Sequence, residues 1–234
     1  VVREEWRTRR TGMAVARMME DAFPVIFKGS KYEDAMPIGH LDVINNFSPD
    51  ALRDYYNKWY RPDLQAVVIV GDVDVNVIES QIKRQFGGLS LPPNAPQRRC
   101  YPVADNKRMI THVMRDAEQP IALAHLYMKR DAKPTSARSD EHYRKEIYEK
   151  DLICLMLNER LSKRQSEAKA PFTAASVKDG KFLIVQTKNA FSLSVSCKGD
   201  QVEEGLSAAV GLIEQARQKG FTTEELTRAK AILR

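Results

Sequence analysis

Along the first part of the chain, Val2, Trp6, Met13, Ala16, Met19, Ala22 and Phe23 recur at roughly helical spacing between Arg and Glu residues. This predicts a surface helix from Val1 to about Phe23 with one buried face. Residues 24–46 mix Gly29, Pro37 and Gly39 with aromatic side chains and read as an irregular connection. Ser48-Pro49-Asp50 places an N-cap serine before a proline at the first helical position; Leu52, Tyr55, Tyr56 and Trp59 follow on one side, and Pro62 ends the helix. Ala66-Val67-Val68-Ile69-Val70 is a continuous β-branched run bounded by Gly71-Asp72, which predicts a central strand. Val75, Ile78, Ile82 and Phe86 then mark a helix that Gly87-Gly88 stops.

Pro92, Pro93, Pro96 and Pro102 make the next stretch extended and exclude a helix there. Beyond it the order changes. Strands are predicted at residues 108–114 and 121–128, and a long helix from near Ser139 through Ile147, Leu152, Met156, Leu157 and Leu161, blocked by Pro171. Strands at residues 172–176, 182–186 and 191–197 precede an amphipathic helix carrying Val202, Leu206, Ala209, Val210 and Ile213. Phe221-Thr222-Thr223-Glu224-Glu225 has the form of a capped start to a last helix. Strands and helices are grouped rather than strictly alternating, so the expected class is α+β: two incomplete lobes, each with helices packed on a mainly antiparallel sheet. The expected divisions are residues 1–87, a linker at 88–106, and residues 107–234.

Composition narrows the function. The 234 residues are 43% hydrophobic and 29% charged, as in an ordinary globular protein. A formal net charge of +6 is spread without a basic block, which argues against a nucleic-acid partner. No apolar run approaches the roughly 20 residues of a membrane-spanning helix. The 3 cysteines, Cys100, Cys154 and Cys197, form no C-x-x-C pattern and leave at least one thiol unpaired. A helical pattern is already running at Val1, and the helix opened at Thr222 is still running at Arg234, so the chain is expected to be an internal segment of a longer protein.

Three patterns in the first hundred residues resemble the pitrilysin/insulysin family of inverted zincins, which includes mitochondrial-processing-peptidase relatives. They are Val1-Val2-Arg3-Glu4-Glu5-Trp6-Arg7; Pro37-Ile38-Gly39 followed by Tyr55-Tyr56-x-x-Trp59-Tyr60-Arg61-Pro62; and Ala66 through Asp74 with its following helix ending Phe86-Gly87. Leu157-Asn158-Glu159-Arg160-Leu161 and Pro171-Phe172-Thr173-Ala174-Ala175-Ser176 are similar, more loosely, to the start of the family's second domain. The resemblance implies a metallopeptidase (processing-peptidase-like) fold.

It also implies a zinc site built from H-x-x-E-H and a distant glutamate, leaving one coordination position for water or substrate. Glu5 matches that third metal ligand; Glu4 points about 100° away around a helix. The H-x-x-E-H motif itself is absent, and His40, His112, His125 and His142 are isolated, with no histidine four residues away. The segment is therefore expected to be inactive and to hold no zinc tightly, although its parent carries Zn2+. Read on its residues alone, Glu5 is an exposed helix glutamate.

The family often sets an arginine and a tyrosine near the substrate carbonyl in the second domain. Arg160 is the catalytic candidate here, with Arg164 nearby, but Phe172 stands where a tyrosine is common and has no hydroxyl to offer an oxyanion. Taken locally, Arg160 is a structural helix arginine. Tyr55, Tyr56, Trp59 and Tyr60 could stack bases, but at helical spacing they are expected to cover the sheet of their own lobe. Arg98-Arg99 and Lys107-Arg108 read as solvated charges. Two functional expectations follow. One is a part of a zinc metalloendopeptidase acting on peptides or unfolded proteins, with a bacterial cell-envelope location by analogy. The alternative is a non-catalytic subunit or scaffold of the same fold.

Overall fold

The computed structural model describes residues 1–11, 13–34, 36–199 and 201–233. Two compact units form: Val1–Trp6 with Ile38–Arg99, and Arg7–Pro37 with Cys100–Arg234. Residues 7–37, expected in the first lobe, instead belong to the second unit.

The first unit contains α3 (Leu41–Asn46), α4 (Pro49–Trp59) and α5 (Val75–Phe86), with the first turn of α1 (Val2–Thr11). Local chemistry explains the helix starts: Ser48 Oγ accepts from the Ala51 N–H at 3.1 Å, and the Asp74 carboxylate accepts from the Asn76 and Val77 N–H groups. Residues 66–70, predicted as a central strand, belong to no sheet, and Val68 and Val70 remain 80% and 91% exposed. A strand needs a neighbour to take its alternate N–H and C=O groups, and none exists among the described residues of this unit. For the same reason Tyr55, Tyr56 and Tyr60 do not cover a sheet; they are exposed, with the Tyr56 and Tyr60 rings stacked at 4.7 Å. Among the unit's described residues, no apolar side chain is buried.

The second unit holds the core. Its sheet is β1 (Ala122–Asp131), β2 (Ala174–Lys181) and β3 (Lys188–Cys197) in the order β1-β3-β2, antiparallel throughout. The helices are α2 (Ala14–Ile26), α6 (Glu141–Gln165), α7 (Val202–Lys219) and α8 (Thr223–Ile232). β3 alternates as a strand between two faces should. Leu193, Val195 and Cys197 are buried with Leu157 and Leu161 of α6, Ala209 and Ala216 of α7, Phe172 and Val177, while Ser192, Ser194 and Ser196 alternate with them. A Cβ on Gly205 would overlap Cys197 Sγ and sit 2.9 Å from the Pro171 carbonyl oxygen, so this glycine lets α7 close onto the sheet.

A second cluster explains why residues 7–37 belong to this unit. Phe23 and Phe27 of α2 and its C-cap pack with Val103, Phe182, Val185 and Ala190. The Phe23 and Phe27 rings meet edge to face at 4.9 Å, and Tyr127 meets Phe182 at 5.4 Å. Residues 182–186, predicted as a strand, form the connection between β2 and β3, with Leu183 at φ 49°, and their apolar side chains are spent on this cluster. Residues 108–114, also predicted as a strand, have no sheet partner, and Met109 and Val113 stay exposed. The single helix expected from Val1 to Phe23 is two: Met13 is extended, and α2 runs on through Pro24 to Ile26.

Candidate functional site

Glu5 lies in the first turn of α1, beside Glu4, where two carboxylates favour the positive end of a helix. Its backbone N–H closes the turn onto the Val1 carbonyl at 3.0 Å, and its side chain is exposed. An accessible carboxylate can serve as one hard oxygen ligand. A catalytic zinc needs three protein ligands, and among the described residues no three His, Cys, Asp or Glu side chains are grouped to hold a metal. The donors present therefore do not by themselves fit the zinc implied by the resemblance.

The histidines sit on separate segments. His125, on β1, sets Nδ1 2.9 Å from Ser194 Oγ and stacks on Tyr127, and burial lowers its pKa. His40 precedes α3 as its N-cap residue, and His142 opens α6 with its N–H donated to Asp140. His112 lies in the exposed 108–114 segment.

Arg160 belongs to the other unit. Its Nε donates to Glu225 Oε1 at 2.7 Å, and its Nη2 to Oε2 at 2.8 Å and to the Gly220 carbonyl at 3.0 Å. The guanidinium also lies 4.7 Å from the centre of the Phe221 ring. The Arg160 hydrogen bonds hold the Glu225 carboxyl down to about 2, and Thr222, whose N–H donates to the same carboxylate, completes a capping box at the start of α8. Arg160 is thereby committed to joining α6 to α8. Arg164 pairs with Glu167 and lines an open groove of about 500 Å³ with Ala208, Gly211 and Leu212 of α7. Phe172 is buried in the main core, a position that a hydrocarbon ring satisfies without a hydroxyl.

Two engaged polar residues were not singled out from sequence. Lys188 is buried, yet its Nζ reaches both Asp105 and Asp131 at 2.7 Å. Burial opposes its charge, but these two bonds outweigh burial and raise its pKa. Asn158 of α6 donates Nδ2–H to the Val177 carbonyl at 3.0 Å and accepts the Val177 N–H through Oδ1 at 2.7 Å. An asparagine among leucines on a buried helix stripe was the available signal, since polar groups at such positions are retained with partners.

A three-stranded antiparallel sheet carrying long helices, preceded by a helix whose first turn holds Glu4 and Glu5, makes an α+β fold. Residues 46–233 match the family described as the peptidase M16 inactive domain, and the chain belongs to that family. It is 26% identical over 236 residues to the probable zinc protease PqqL of Escherichia coli, spanning 99% of this chain and 24% of that protein. The fold is that of the first half of the periplasmic protease PqqL from Escherichia coli, with a TM-score of 0.80, 24% identity, and coverage of 99% of this chain and 48% of that one. It is also similar to the ferredoxin protease FusC, solved as a point mutant in complex with Arabidopsis ferredoxin: TM-score 0.71, 21% identity, 98% of this chain and 25% of that one. The chain thus spans about a quarter of the curated relative's length. Among the described residues, no helix is long and apolar enough to cross a membrane.

Proposed function

We propose that this chain is part of a zinc-dependent metalloendopeptidase of the cell envelope that cleaves peptides or unfolded proteins, and that the segment alone is inactive. The observation carrying this reading is the family match over residues 46–233 together with similarity along 99% of this chain to a zinc protease. When bound, zinc would supply the activated water for peptide hydrolysis. Glu5 is assigned as one of its ligands. It lies upstream of the matched span, on an exposed helix face.

Arg160 is assigned a positioning role: by fixing α8 on α6 it sets the shape of the second unit. Its donors are turned to Glu225 and Gly220, which supports this reading over direct substrate contact.

The family's description as an inactive domain favours a second reading, in which the segment is a non-catalytic scaffold throughout. The two differ at Glu5. In the intact parent protein, Glu5→Gln should lower zinc content and chelator-sensitive cleavage of a quenched peptide together, because a neutral amide is a poorer zinc ligand than a carboxylate. Unchanged zinc content and cleavage in that variant would remove Glu5 from the metal site and leave the scaffold reading.

A further inference from the structure

The second unit is discontinuous in sequence: residues 7–37 belong to it, residues 38–99 do not, and Cys100 re-enters it. Side chains hold the earlier segment in place. Phe23 and Phe27 are buried with Val103, Phe182, Val185 and Ala190, and the Phe27 and Phe182 rings lie 5.8 Å apart. Met19 and Ile26 pack against the same cluster, so α2 and its C-cap spend one stripe of the helix on it. Polar bonds surround this apolar contact. Arg17 donates to both carboxylate oxygens of Asp116, from Nε at 2.7 Å and Nη2 at 2.8 Å, and Nη2 also reaches Glu118 at 2.7 Å. Ser30 Oγ donates to the Pro102 carbonyl at 2.7 Å, and the Tyr32 hydroxyl accepts from the Gln186 N–H at 3.3 Å. Each of these partners lies after residue 99 in the sequence.

We infer that residues 14–32 are a docking arm: an amphipathic helix and turn that bind residues 100–234 as a separate partner would, keeping the two parts of the chain together without the peptide connection at Arg99–Cys100. Aromatic anchors at the centre of a contact, with a bidentate arginine and hydroxyl bonds at its margin, are the anatomy of an interface between proteins. The spacing of Met19, Phe23 and Ile26 is that of a helix laid into an apolar groove. Cys100, Cys154 and Cys197 are free, so no disulfide duplicates the role of the arm.

The test is to insert a site for a sequence-specific endopeptidase between Arg99 and Cys100 of the whole chain, cut it, and weigh the products by size exclusion with light scattering. The two pieces should elute together at the mass of the uncut chain. Phe27→Ala empties the centre of the contact and should weaken their association by at least about a hundredfold. Arg17→Met removes the bidentate donor and should weaken it by at least about tenfold, whereas Tyr56→Ala, outside the arm, should leave it unchanged. Wild-type pieces that separate overturn the arm. So does association that neither Phe27→Ala nor Arg17→Met weakens, because other contacts would then hold the pieces. Amide exchange of residues 191–197 in uncut Phe27→Ala should stay slow, since Leu193, Val195 and Cys197 pack in the other cluster. Loss of that protection would make the arm part of one indivisible core rather than a docked partner, and would overturn the inference as well.

Discussion

Arg160 and Glu225 meet through two parallel hydrogen bonds of 2.7 and 2.8 Å, with both side chains largely shielded from water. Bidentate guanidinium–carboxylate pairs are short and directional, and this one ties the longest helix to the first turn of the last. The residue that the family resemblance marks for substrate is thus the clamp of a helix pair.

Breaking that clamp should be costly. Glu225→Gln leaves the Arg160 charge shielded and poorly matched, and should lower stability by about 2–3 kcal/mol in urea unfolding. The pH dependence follows from the depressed carboxyl. The stability gained from the pair is complete above about pH 4.5 and is lost as pH falls through about 2. Acid titration of wild type against Glu225→Gln should show the two curves converging over that interval.

Gly205→Ala should destabilise the second unit. The added methyl meets Cys197 Sγ and the Pro171 carbonyl, neither at the end of a flexible chain. Overpacking of this kind costs about 1–3 kcal/mol, more than the roughly 1 kcal/mol that alanine gains over glycine inside a helix. A fall in the denaturation midpoint checks it, and an unchanged midpoint would mean that α7 shifts freely on β3.

Lys188→Met should free the segment around Asp105 from the sheet. The Lys188 hydrogen bond is the main cause holding the Asp105 carboxyl below its usual value. In the variant that carboxyl should titrate higher by NMR, and cleavage by trypsin at Arg98, Arg99 or Arg108 should be faster.

Amide exchange should separate the two apolar runs that look most alike in sequence. Residues 191–197 lie in β3 between two partner strands and should be among the slowest to exchange. Residues 66–70, exposed and without a ladder, should exchange at least about a hundredfold faster in the isolated chain. Comparable protection in both would show that residues 66–70 find a partner in solution.

What the sequence determined by itself is whatever a few neighbouring residues decide. Ser48, Asp74 and the Thr222/Glu225 capping box start helices where they were expected, because a cap is completed within one turn. The alternation of residues 121–128 predicted β1, and the apolar stripe through Leu152, Met156 and Leu161 predicted α6, because each period is set by one element's geometry. The family resemblance was legible for the same reason, being carried by short contiguous patterns. Only the tertiary structure decided which extended runs became strands. Residues 66–70 and 108–114 have the composition of strands, but a ladder needs a partner distant in sequence, and residues 182–186 instead spend their apolar side chains on the Phe27 cluster. It alone decided that residues 7–37 join the later unit, and that Arg160 faces Glu225. An arginine's partner is fixed by where two helices cross, and helix crossing is set by how whole faces pack rather than by any local pattern.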